Sequence, residues 1–273
     1  MNIVLVHGIL GFNQIDVPGP LEPIRYFNGV ADYLTQHLPA NTNIHVPQLD
    51  PTAGTMERAG QLRLSIEKAL EGTLDRSQPI HIIAHSMGGL DARRMISKDP
   101  FISTVPVKTL ATIGTPHRGS PIADVVHGEL VPKLHLFAPV LESAKALLGN
   151  VVSHFGISLK GLRDLTTKAA TQFNLDFRNH DDVLYLSYGG KGRQGFFRPP
   201  TSQFMFPYYE FIRIVDGEGS DGVVPVSSAQ WKNFDSDLWP ADHLDEVGRD
   251  LDHPLRPASR ELLDRYLAIV AKF

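Results

Sequence analysis

The stretch "HIIAHSMGGLDARRM", residues 81–95, decides how this chain is read. An apolar run ends at Ala84, a lone serine stands at position 86 between His85 and Met87, and Gly88 and Gly89 follow. Ala84 to Gly88 match the nucleophile elbow G-x-S-x-G, with alanine in the first place. In that motif the serine sits on a sharp, strained turn between a strand and a helix. Residues two positions to either side must be small, because bulkier side chains would meet the sheet or the helix. Ala84 and Gly88 meet that requirement. Ile80 to Ala84 reads as a strand and Gly88 to Ile96 carries helical spacing, so the context favours a nucleophile over an ordinary turn serine.

The same alternation extends in both directions. Ile3 to Val6 is a short apolar run ending at His7-Gly8, and "NIHVPQL" (43–49) is the next strand candidate. Between Met56 and Leu70, residues Leu62, Ile66, Ala69 and Leu70 fall at helical spacing, with Gly72 as a stop signal. "VKTLATIG" (107–114) reads as a further buried strand. "DVLYLSYGG" (182–190) and "YEFIRIVDGEG" (209–219) resume the strand pattern, and "ASRELLDRYLAIVAKF" (258–273) closes the chain as an amphipathic helix. Strands alternating with helices predict an α/β fold whose mostly parallel central sheet has helices on both faces. From Pro121 to about Phe155 the alternation lapses into an apolar stretch with helical spacing, a candidate cap or lid within a single domain spanning 1–273.

Composition narrows the function. At 273 residues, 42% apolar and 21% charged, the chain has the size and make-up of one globular α/β domain. A net charge of -4 provides no broad basic face for nucleic acid or anionic lipid. Without cysteine there are no disulfides, thiolate metal sites or cysteine nucleophiles. The opening "MNIVLVHG" shows no leader pattern, and "VPKLHLFAPVLESAKALLGNVV" (131–152) is interrupted by Lys133, His135, Glu142 and Lys145, so no transmembrane segment is expected. A cytoplasmic location is the expectation, with secretion without a visible signal peptide as the alternative.

A serine hydroxyl is a poor nucleophile unless a base, itself oriented by a carboxylate, takes its proton. With an elbow of this kind the chain order is serine, acid, histidine. Of the 12 histidines, His243 in "WPADHLDEV" (239–247) is the better base, ahead of His253. For the acid, "VDGEGSDGVVP" (215–225) offers Asp216, Glu218 and Asp221. Asp221 is preferred because a turn glycine adjoins it and an apolar run anchors its loop, with Asp216 as competitor. The tetrahedral oxyanion needs backbone donors, and these are the N–H groups of Met87 and of Ile9 in "VHGILGF" (6–12). His7 and His85 flank turns and read as structural residues that hydrogen-bond the loop backbone.

The segments "IVLVHGILGF", "YFNGVADYL", "IIAHSMGGLDARR", "TIGTPHRGS", "SDGVVPVSS" and "DHLDEV", in this order between residues 3 and 247, resemble the bacterial true lipases of the Pseudomonas, Burkholderia and Proteus type. The resemblance implies an α/β-hydrolase fold with a helical lid insertion at about 121–155. It implies hydrolysis of carboxylic esters of acylglycerols at a lipid interface, with Ser86, Asp221 and His243 as triad and Ile9 and Met87 as oxyanion donors; this chemistry calls for no cofactor. A short-chain or polyester esterase, or a non-catalytic hydrolase-fold binding protein, is the alternative. Relatives of this type hold a structural calcium through two aspartates, a side-chain amide and carbonyls. Asp245 matches one aspartate, but the amide position is Arg249, whose guanidinium has no acceptor, and Lys191 to Tyr209 contains no carboxylate. No metal is therefore expected: if the segment after His243 is helical, Asp245 and Arg249 at i,i+4 can pair in its place, the alternative being a loop held by packing.

Overall fold

Strand β1 (Asn2–Val6) opens the chain, and β2 (Gln14–Ile15) pairs antiparallel with β3 (Ile24–Arg25) as a short ribbon. With β4 (Asn43–His45), β5 (Ile80–His85), β6 (Val107–Ile113) and β7 (Leu184–Tyr188), β1 forms a five-stranded sheet in the order β4-β1-β5-β6-β7. All four pairings in it are parallel. The computed structural model describes residues 1–9, 14–15, 24–97, 105–128, 160–192, 202–203, 205–250, 252–253 and 256–273.

Parallel strands need crossovers, and the helices that supply them bury the sheet on both faces. Successive residues of β1 point to opposite faces, which divides the core in two. Ile3 and Leu5 join Leu34 of α1 (Val30–His37) and Tyr266 and Ile269 of the C-terminal helix Arg260–Val270. Val4 and Val6 join Leu62 and Ile66 of α2 (Thr55–Ala69) and Met95 of α3 (Met87–Met95). Each such buried aliphatic side chain contributes about 1.5–3 kcal/mol relative to exposure. The expected strands and helices around residues 3–6, 43–49, 56–70, 80–96, 107–114, 182–190 and 258–273 all appear.

One element differs. "YEFIRIVDGEG" is not a strand but lies mostly in the helix Phe206–Asp216. Its β-branched and aromatic residues imitate strand composition, yet Tyr208, Tyr209, Phe211 and Ile212 are buried while Ile214 and Val215 are exposed, the clustering of a helical face. Pro207 stands in its first turn, and Gly217 ends it at a left-handed φ of 80°. The start of the expected lid is α4 (Pro121–Val126), capped by Ser120 Oγ, which accepts from Ile122 N at 3.2 Å. The rest of that span, from residue 129, lies outside the described residues. Among the described residues no helix is long and apolar enough to cross a membrane.

Candidate active site

Register brings the two key loops together. Val6 of β1 pairs with Ala84 of β5, so His7-Gly8-Ile9 and His85-Ser86-Met87 leave the sheet side by side at the carboxyl ends of their strands. In open parallel sheets that edge is where ligands bind. Ser86 occupies φ 55° and ψ -133°, a conformation costly for a side-chain-bearing residue. Its N–H donates to Ile113 O at 2.9 Å, and its carbonyl accepts from Thr115 Oγ1 at 2.8 Å, which hold the turn in place. A methyl group on Gly88 would lie 2.7 Å from the carbonyl oxygens of both Val6 and His7. The small residue that the motif demands is thus required by a backbone contact.

Three of the sequence-predicted residues meet here. His243 Nδ1 lies 2.7 Å from Asp221 Oδ2, and His243 Nε2 lies 2.9 Å from Ser86 Oγ. Asp221 is fixed in turn, because its Oδ1 accepts from Val223 N at 2.8 Å and Val224 N at 2.6 Å. With Nδ1–H donating to the carboxylate, Nε2 is left as an acceptor for the serine hydroxyl. The competitors lie elsewhere: Asp216 accepts from Ser227 Oγ at 3.0 Å, and exposed His253 faces Asp250. Met87 is the first residue of α3, where backbone N–H groups lack partners within the helix. The segment leading to Ile9 packs on Ser86, since a methyl group on Gly8 would fall 2.7 Å from Ser86 Cβ.

Beneath the histidine the structure adds Glu246 and Tyr26, which the sequence does not single out, as side-chain partners of His85. Glu246 Oε2 lies 3.1 Å from His85 Nε2 and 3.8 Å from His243 Nδ1, and His85 Nδ1 lies 2.7 Å from Tyr26 Oη. Burial, reinforced by Asp221 and Asp242, pushes the Glu246 carboxyl well above the usual range, and burial pushes His85 well below its own. Only the placement of Glu246 three residues after His243 hinted at this contact.

Among the described residues, His85, His243 and Glu246 are a group whose ligand atoms lie close enough to share a metal, within 4.8 Å of one another. Each of these histidines already has its hydrogen-bonding partners within the network above. The calcium that the resemblance implies does not fit. Arg249 occupies the amide's place, and its guanidinium donates to the carbonyl of Arg25. The anticipated Asp245–Arg249 pair is not formed, because residues Asp245–Val247 make a 3-10 turn that Gly248, at φ 79°, redirects before Arg249. Asp245 Oδ2 instead accepts from Asp242 N at 3.2 Å. Burial raises Asp242 to about 6, and burial together with Asp242 raises Asp245 to about 7.

Comparison with known proteins agrees with this architecture. The triacylglycerol lipase of Vibrio cholerae is 27% identical over 265 residues, covering 90% of this chain and 78% of its own length. Triacylglycerol lipase 2 of Saccharomyces cerevisiae is 30% identical over 230 residues, 82% of this chain and 62% of its own. The crystal structure of Staphylococcus hyicus lipase superposes with a TM-score of 0.69 at 18% identity, covering 99% of this chain and 94% of that one, so the two share the α/β-hydrolase fold. Residues 53–190, half of the chain, match the family described as the PGAP1-like alpha/beta domain, a span that includes the elbow, α3 and β5 to β7, and the chain belongs to that family.

Proposed function

We propose that this protein is a serine carboxylic-ester hydrolase of the lipase kind, acting on acylglycerols through an acyl-enzyme, and that it is a relative of the bacterial true lipases. The observation that carries this reading is the unbroken line from Asp221 through His243 to the strained Ser86. In that line Ser86 Oγ attacks the ester carbonyl while His243 Nε2 takes its proton. The N–H groups of Ile9 and Met87 receive the negative charge that develops on the carbonyl oxygen. His243 then gives the proton to the departing alcohol, leaving an acyl group on Ser86. Water, activated by the same nitrogen, releases the acid and restores the serine. Asp221 keeps the imidazole in the required tautomer and stabilises its positive charge. The segment from Pro121 to about Phe155 serves as a lid, a reading that rests on its apolar sequence with helical spacing.

Two measurements test the reading. A series of p-nitrophenyl esters from acetate to palmitate, in solution and in emulsion, is expected to show turnover that rises once a long-chain ester passes its solubility limit. An organophosphonate is expected to label Ser86 and abolish turnover. A label on another serine, or no turnover of any ester, would overturn it.

A further inference from the structure

His7 is fully buried between β1 and Ile9, and its two ring nitrogens have different partners. Nε2 lies 3.1 Å from the backbone N–H of Leu49, which can only donate, so Nε2 is the bare, accepting nitrogen. The ring hydrogen therefore sits on Nδ1, which donates to the carbonyl of Gly8 at 2.9 Å. Burial and the Arg58 charge lower His7 to about 4, which keeps the ring neutral near pH 7. The preceding peptide is gripped as well. Arg58 Nη2 donates to the His7 carbonyl at 2.7 Å, while Arg58 Nε donates to Asp91 of α3 at 2.8 Å.

These bonds set the direction of an N–H group. Every peptide bond among the described residues is trans, so the Gly8 carbonyl and the Ile9 N–H point in opposite directions. Holding that carbonyl toward the His7 ring turns the Ile9 N–H away from it. Gly8 itself abuts the nucleophile: a methyl group there would lie 3.1 Å from Ser86 Oγ. A flip of the Gly8–Ile9 peptide would withdraw the donor and bring a carbonyl oxygen to the place where negative charge develops.

We propose that His7 is a positioning residue of the oxyanion hole, its Nδ1–H fixing the Gly8–Ile9 peptide so that the Ile9 N–H faces the carbonyl oxygen of an ester at Ser86. This deepens the serine hydrolase reading and rests on it. One oxyanion donor is worth about 10²–10³ in kcat, which sets the size of the effect.

Three substitutions separate positioning from packing. His7→Asn keeps an N–H near the place of Nδ1, whereas His7→Gln reaches toward Leu49 without serving Gly8, and His7→Leu fills space with neither. With p-nitrophenyl butyrate, and kcat expressed per phosphonate-titrated site, Leu and Gln are expected to lose roughly 10²-fold or more in kcat with little change in KM. Asn is expected to recover at least tenfold of that loss. A packing role would lower the melting temperature of the three variants while leaving kcat per titrated site near wild type. Should His7→Leu fail to fold, the ranking of Asn over Gln still decides. The proposal is overturned if Gln keeps kcat within about threefold of wild type, against the 10²-fold expected, or if Asn is no better than Gln. A wild-type protein inert to esters and phosphonate would sink the hydrolase reading itself, whereas an active wild type with unimpaired variants sinks only the role of His7.

Discussion

Arg58→Met tests how the loop before Ile9 is tied to the helix after Ser86. The Arg58 side chain is fully buried, with Nε 2.8 Å from Asp91 Oδ2, Nη1 2.8 Å from Asp50 O and Nη2 2.7 Å from His7 O. Methionine fills most of the volume but strands a buried carboxylate and two carbonyls. Breaking a buried pair from one side costs about 3–5 kcal/mol. At about 2–4 °C per kcal/mol for a chain near this size, the melting temperature should fall by roughly 6–20 °C. The loss should also depend on pH. Burial already raises Asp91 to about 6 with the guanidinium present, and without it the carboxyl rises further. A raised carboxyl favours the folded state at low pH and loses that contribution as pH climbs through its folded value. Below about 6 both proteins carry a neutral Asp91, so the deficit grows only above that point, by up to about 1.4 kcal/mol per pH unit. Urea unfolding at pH 5 and pH 8 measures this, and adding Asp91→Leu to Arg58→Met should restore most of the stability. A loss under about 1 kcal/mol at pH 8, or one that does not grow with pH, would refute the reasoning.

Asp221→Asn is expected to lower kcat by about 10⁴ while Asp216→Asn leaves it nearly unchanged; the reverse ranking would move the acid to Asp216. Asp245→Asn removes a carboxyl raised to about 7, whose contribution to folding is present below the ordinary carboxylate range and lost as pH rises through that value. The variant should therefore melt higher than wild type above pH 7 and match it near pH 4, and parallel melting curves across that range would contradict the assignment. Treatment with EDTA is expected to leave ester turnover and melting temperature unchanged, because Arg249 stands where a calcium ligand would be needed; a large loss restored by calcium alone would show otherwise.

What the sequence disclosed was local. Strand, elbow and helix around Ser86 are contiguous, so spacing and small residues suffice to read them. His243 and Asp221 emerged because chain order removes most competitors and turn chemistry ranks the rest. The helix Phe206–Asp216 was misread because valine, isoleucine and tyrosine carry the same composition signal in a strand and on a buried helical face. Composition also cannot show where a left-handed glycine turns the chain, so the Asp245–Arg249 pairing failed at Gly248. The contact of Glu246 with His85 spans 161 residues, and no periodicity reports a contact of that range.

The parallel sheet has a consequence for the order in which this protein comes into being. Ser86 and His243 stand 157 residues apart, and no tight hairpin joins neighbouring strands of the main sheet to give an early, local nucleus. Helices form fast and locally, whereas these long-range pairings must wait for loop closure. If the proposed triad is the catalytic one, a chain leaving the ribosome carries its serine early but stays unarmed until the segment bearing His243 has emerged and docked. On refolding, the helical signal therefore returns ahead of ester turnover, and turnover serves as a clock for the last step of assembly.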